Sequence, residues 1–153
     1  MYGGQISSSV IRKDLSEGKI EEANHLLGYN FSLTGTVVAG KQLGRSLGFP
    51  TANIQPEDPH KLIPGNGVYA VEVHLDEIRY TGMLSIGLNP TVNTNPGQRS
   101  IEVHIFDFEE DLYGRRITVI FRRWLRDEEK FASLDQLTEQ MKLDRENTLK
   151  YLG

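Results

Sequence analysis

There is no cysteine in this 153-residue chain, which excludes a disulfide frame and any thiolate chemistry and is compatible with a reducing cytosol. No apolar run is long enough to span a bilayer and no signal-peptide pattern opens the chain, so a cytoplasmic setting is expected. Familiar nucleotide and zinc signatures are missing too. Lys41 is followed by Gln42 rather than Ser or Thr, no Gly-x-Gly-x-x-Gly opens a helix, and His-Glu-x-x-His does not occur. Basic charge is also in short supply. A net charge of −4 argues against a broad electrostatic footprint for nucleic acid, although a few local cations can still hold a small anion. The remaining composition, 38% hydrophobic and 25% charged, is that of one globular domain with an ordinary core.

The stretch Gly40-Lys41-Gln42-Leu43-Gly44-Arg45-Ser46-Leu47-Gly48-Phe49-Pro50-Thr51-Ala52-Asn53 is the most informative. Gly40, Gly44 and Gly48 recur every four residues, and such a loop can bring backbone N–H groups close around phosphate oxygens. Lys41 and Arg45 would neutralise charge there, and Pro50 stiffens the exit. Thr51 and Asn53, two apart in an extended segment, offer a hydroxyl and an amide carbonyl on one side. Neutral oxygens completed by phosphate and water suit Mg²⁺, which takes few protein ligands. The competing reading is a plain surface loop entering a strand.

Two short helices are expected first: one from Ser7, with Val10, Ile11 and Leu15 and a stop at Gly18, and one over Glu21 to Leu27, ending at Gly28. They look like a connector. From Phe31 the pattern is β, with strands expected at Leu33 to Ala39, Ala52 to Ile54, Gly67 to Leu75, Arg79 to Ile86, Ser100 to Phe108 and Ile117 to Leu125. Residues 55–66 and 89–99 read as loops, the second long and polar enough to be a lid. Ser133 and Gln136 form a capping box for a last helix whose apolar face would be Leu134, Leu137, Met141 and Leu149. Six short strands followed by one helix predict a mostly β protein, a closed antiparallel barrel with a helix packed on it.

One echo carries chemistry: Val71-Glu72-Val73-His74-Leu75 against Ile101-Glu102-Val103-His104-Ile105. Alternation turns the aliphatic residues to the core and Glu and His to the other face. Solvated polar positions explain this as well as a metal site would, and no zinc spacing supports the latter. Phosphoryl transfer, by contrast, needs a metal, a charge cradle and one acceptor-orienting base. Periodicity does not choose between Glu72 and Glu102; the place of Glu102 behind the long polar loop favours it. Phe121, Trp124 and Phe131 with Arg122, Arg123 and Arg126 form an aromatic and basic cluster, either a seam under the last helix or a seat for a planar aromatic ligand.

These motifs, with Ile63-Pro64-x-x-Gly67-Val68-Tyr69, Ile86-Gly87-x-Asn89-Pro90-Thr91, Asp111-Leu112-Tyr113-Gly114 and Leu125-Arg126-Asp127-Glu128-x-Lys130-Phe131, resemble bacterial riboflavin kinase over residues 6–150. The likeness is to the C-terminal kinase module of the bifunctional FAD synthetase. It implies a six-stranded Greek-key barrel over 31–126, a helix over 133–152 and a helical connector over 1–30. It also implies an N-terminal FMN adenylyltransferase module that this chain does not contain, so the chain is expected to be a fragment. The implied reaction is ATP-dependent phosphorylation of the riboflavin 5′-hydroxyl with Mg²⁺, giving FMN and ADP. Gly40, Arg45 and Thr51 would touch the nucleotide, Thr51 and Asn53 would bind the metal, and Glu102 would be the catalytic base. Flavin would meet Trp124, Arg126 and Phe131, and neither nucleic acid nor membrane is an expected partner. The alternative is a non-catalytic flavin- or nucleotide-binding barrel.

Overall fold

The computed structural model of the chain describes residues 8–38, 51–58, 60–88, 99–108, 112–128 and 131–152. Helices α1 (Ser8–Ser16) and α2 (Ile20–Leu27) precede six strands: β1 (Ser32–Val38), β2 (Ala52–Pro56), β3 (Gly67–Leu75), β4 (Ile78–Leu88), β5 (Arg99–Ile105) and β6 (Arg116–Arg126). Helix α3 (Leu134–Leu152) follows. The strands close into one barrel in the order β1-β2-β5-β4-β3-β6, with every pair antiparallel. Sequential neighbours β2 and β3, and β5 and β6, are not paired, so two connections cross, as a Greek key requires.

The pleat assigns the two faces. Tyr69, Val71, Val73, Val103, Ile117, Val119 and Phe121 point inward and are fully buried or nearly so, while Glu72, His74 and Glu102 on the alternate positions face out. A two-residue turn at Asp76-Glu77 closes the β3–β4 hairpin, with Asp76 at φ 57°, a conformation acidic and amide side chains tolerate. Asp107 takes the same left-handed conformation (φ 58°), and for that reason β5 stops at Ile105 rather than running to Phe108. β2, expected to end at Ile54, continues through Gln55 and Pro56 because Gly35 and Thr36 of β1 pair with them.

Helices α1 and α2 do more than connect. Leu15, Ile20 and Ala23 belong to the barrel core itself. Asn24, also buried, donates Nδ2 to the Phe121 carbonyl (2.9 Å) and accepts from the Phe31 N–H (2.7 Å) through Oδ1. Its amide thus ties α2 to β6 and to the chain entering β1. The Trp124 ring meets Tyr69 edge-on, centroids 5.3 Å apart. It also lies over the α-carbons of Gly18, just after α1, and Gly67, at the start of β3. Tyr69 donates its hydroxyl to the Gly65 carbonyl (2.6 Å), and the Gly65 N–H bonds the Leu15 carbonyl (2.7 Å), so the 63–66 segment is held from both sides.

Helix α3 begins at the expected cap, with the Gln136 N–H on Ser133 Oγ at 3.2 Å, while Gln136 Oε1 accepts from the Ala132 N–H, one residue before the cap, rather than from that of Ser133. Its inner face differs from the expected one. The face turned to the barrel is Leu137, Met141, Asp144 and Thr148, of which Asp144 and Thr148 are buried. Leu134 stands on that stripe but beyond the barrel, 52% exposed, and Leu149 is turned about 100° from Thr148, 41% exposed. Among the described residues no helix is long and apolar enough to cross a membrane.

Gly18 has φ +79°, and a Cβ there would stand 2.4 Å from the Trp124 ring. Gly18→Ala is therefore expected to cost about 2–4 kcal/mol, combining left-handed strain with overpacking; denaturant unfolding of the variant checks this. Burial pushes the Tyr69 phenol above its ordinary value. A group raised on folding supports stability below its unfolded pKa of about 10 and loses that support as pH rises beyond it. Wild type should therefore exceed Tyr69→Phe by about 1 kcal/mol at neutral pH. The gap should narrow above about pH 10, as unfolding curves at successive pH values will show.

Candidate active site

Three oxygen-bearing side chains, two from the start of β2 and one from β5, meet on the outer face of the barrel. Thr51 immediately precedes β2, Asn53 is the second residue of that strand, and Glu102 lies opposite Asn53 on β5. The Thr51 hydroxyl donates to Glu102 Oε1 at 3.3 Å. Ser85 of β4 faces Glu102 from the other side, so Asn53, Glu102 and Ser85 form a row across three strands. Strand spacing of about 4.8 Å keeps neighbouring members of such a row within reach of one small ligand.

Asn53 Oδ1 is buried and, among the described residues, has no hydrogen-bond partner. An unsatisfied buried acceptor costs about 1–3 kcal/mol, and the amide carbonyl is therefore a ready ligand for a cation or a donor that arrives with substrate. Among the described residues no cluster of three or more His, Cys, Asp or Glu forms. A cation held here would rest on a hydroxyl, an amide and one carboxylate, a donor set of hard oxygens that fits Mg²⁺ and not a thiophilic metal.

Beside this row a cleft of about 240 Å³ opens between β4, β5 and α3. Glu102, Thr51 and Ser85 line one part; Met83, Phe131, Leu137 and Met141 give it an apolar wall; Arg126, Glu128 and Asp144 bring charge. Few polar groups against a largely apolar wall is the usual make-up of a small-molecule site. Arg126, the last residue of β6, places Nε 3.0 Å and 3.1 Å from the two Asp144 oxygens and Nη2 2.8 Å from Oδ2, and its charge stands 5.7 Å from the Phe131 ring centre. The Glu128 carboxylate lies against the bare α-carbon of Gly87 on β4, where a Cβ would meet it at 2.0 Å.

The look-alike positions on β3 have other work. Glu72 pairs with Arg122 and approaches Arg79 at 3.6 Å and His74 at 3.8 Å, away from the cleft. Of the residues singled out in the sequence, Thr51, Glu102, Arg126 and Phe131 line the cleft and Asn53 adjoins Glu102. Trp124 is not among the lining residues and packs instead between Gly18, Gly67 and Tyr69. Gly40, Lys41, Gly44, Arg45, Gly48 and Pro50, and the loop at 89–98, lie outside the described residues. Sequence reading missed Asp144, Met83 and Ser85. Asp144 had one available signal, an acid at the i+7 position of the stripe begun by Leu137, where a buried charge requires a partner.

A closed six-stranded barrel with a polar row on its outer face and a helix-covered cleft offers a frame for a small-molecule site. Comparison with known proteins makes it particular. The family model described as "Flavokinase: Riboflavin kinase" matches residues 27–152. The chain is 40% identical over 150 residues to the bifunctional riboflavin kinase/FMN adenylyltransferase of Bacillus subtilis, covering 97% of this chain and 47% of that protein. It is 41% identical over 152 residues to the Escherichia coli protein of the same name, covering 99% and 47%. The riboflavin kinase structure from Trypanosoma brucei superposes with a TM-score of 0.55 at 28% identity, over 79% of this chain and 78% of that one. A Streptococcus pneumoniae structure described as a macrolide-efflux protein superposes with a TM-score of 0.86 at 40% identity, over 94% and 46%. The chain belongs to the riboflavin kinase family, and it spans about half the length of the curated relatives it matches.

Proposed function

We propose that this chain transfers the terminal phosphoryl group of ATP to the 5′-hydroxyl of riboflavin, releasing FMN and ADP, with Glu102 as the base and Thr51 and Asn53 as the metal-binding pair. The observation that carries the reading is the meeting of Thr51, Asn53 and Glu102 at the edge of a cleft with an apolar wall. The flavin ring fits that wall, against Phe131, Met141 and the Arg126 guanidinium, since aromatic, thioether and cationic groups all favour a π-surface. The ribityl chain then runs toward Glu102. As the hydroxyl oxygen bonds to phosphorus, its proton passes to the Glu102 carboxylate, and the bond to the leaving ADP oxygen breaks.

Mg²⁺, when bound by Thr51 and Asn53, would neutralise charge on the phosphate oxygens of the nucleotide. Thr51 has a second duty. By donating to Glu102 it holds the carboxylate toward the metal-binding pair and fixes its orientation. The glycine stretch 40–50 and its Lys41 and Arg45 are proposed to hold the phosphates, with Pro50 stiffening the approach to Thr51. Trp124 would act on flavin only through Tyr69 and β6, since it is packed against the N-terminal helices. A cytoplasmic setting agrees with the lack of cysteine. FMN adenylyl transfer, the other activity in the relatives' name, is assigned to the half of those proteins outside the match.

Two variant pairs test the reading. Thr51→Ala and Asn53→Ala each remove one oxygen from a site with few protein ligands, and Mg²⁺–ATP titration should show affinity lowered at least about tenfold in each. Unchanged affinity in both would remove the metal assignment. Glu102→Gln keeps shape and most hydrogen bonding, so its thermal melt should match wild type while kcat for FMN formation drops about 10²–10⁴-fold. Glu72→Gln, a change within an exposed ion-pair group, should leave the rate intact. A reversed result moves the base to β3, and an absence of FMN from wild type with riboflavin, ATP and Mg²⁺ leaves a binding module.

A further inference from the structure

Helix α3 is fastened over the cleft by charge as well as by apolar contact. Its buried residues are Asp144 and Thr148, and the Asp144 carboxylate grips Arg126 at two points, Nε and Nη2. Gln140, one turn earlier, donates Nε2 to Asp144 Oδ1 at 3.0 Å, and Thr148 Oγ1 donates to the Asp144 carbonyl at 2.7 Å. A guanidinium held along the Nε–Nη2 edge loses its freedom to rotate, because fork and carboxylate must be coplanar. Nη1 donates to the Asp127 carbonyl at 3.1 Å, which restrains the opposite end of the fork. The flat face of the group is thereby fixed at the cleft beside Phe131.

We propose that Asp144 is a positioning residue for substrate binding: from the inner face of α3 it sets the plane of Arg126, and that plane forms one wall for the flavin ring. The inference rests on the reading of the cleft as the flavin site. Isolated stability does not explain such a pair, since buried ion pairs are often no better than apolar replacements. A side chain that must hold one orientation against a planar ligand does explain it.

The test measures riboflavin affinity directly, by quenching of flavin fluorescence, in wild type, Asp144→Asn, Arg126→Met and the double variant. Thermal melts and the KM for Mg²⁺–ATP serve as controls. Asp144→Asn should weaken riboflavin binding at least tenfold, with the KM for Mg²⁺–ATP within twofold. The double variant should bind no more weakly than Arg126→Met, because Asp144 acts through that arginine. A purely structural role predicts a lowered melting temperature with unchanged riboflavin affinity in the folded protein, and affinity within twofold of wild type in Asp144→Asn overturns the proposal. If that variant does not fold, the Arg126→Met background decides: equal affinity with and without Asp144→Asn supports positioning, and a further tenfold loss overturns it. Wild type that binds no riboflavin would instead overturn the assignment of the cleft.

Discussion

Side-chain alternation on a closed sheet governs everything else in this protein. Each strand sends one set of residues inward, and that set, Tyr69, Phe121 and the aliphatic residues around them, packs into one buried core. Space given to such a core is not space for a ligand. The barrel's chemistry has to be carried by the outward set, on a convex surface that water reaches freely unless something covers it. The closed sheet compensates by being a rigid ruler: register pairs Asn53 with Glu102 and Glu102 with Ser85, so three residues remote in sequence acquire a fixed spacing.

Covering that surface falls to α3, and the manner of attachment shapes the site. An apolar helix face would seal the outer wall of β4 and β5. The observed stripe instead mixes Leu137 and Met141 with Asp144 and Thr148. Apolar contact includes a small cluster of Met83, Phe106, Leu125 and Met141. Between the two kinds of contact a gap is left open beside Glu102. Methionines at its wall suit a ligand of irregular outline, since an unbranched thioether adapts to the surface it meets.

Much of this was legible beforehand. Period-two patterning located all six strands, and the two copies of the aliphatic-Glu-aliphatic-His pattern announced which residues face out. What patterning could not tell was which copy stands at the cleft. Glu72 and Glu102 have near-identical neighbours in sequence and differ only in neighbours across the sheet: Arg122 and Arg79 for one, Thr51 and Ser85 for the other. That information resides in register, which is non-local. The helix face was misjudged for a related reason. Counting leucines assumes that burial follows hydrophobicity, whereas here a charge on β6 recruits Asp144 inward and leaves Leu149 outside. The N-terminal helices, read as a connector, gave no sign that Leu15 and Ile20 would join Ala23 in the barrel core.

Trp124, the one tryptophan of the chain, has a spectroscopic meaning. Its indole contacts Gly18 behind α1, Gly67 at the mouth of β3 and the Tyr69 ring, and it is absent from the lining of the cleft. In the ligand-free protein its emission therefore reports the seating of the N-terminal helices on the barrel end. A red shift without loss of β-sheet circular dichroism would mark those helices lifting away while the barrel stays closed. The chain thus carries a built-in optical probe at the very joint where α1 and α2 meet the barrel.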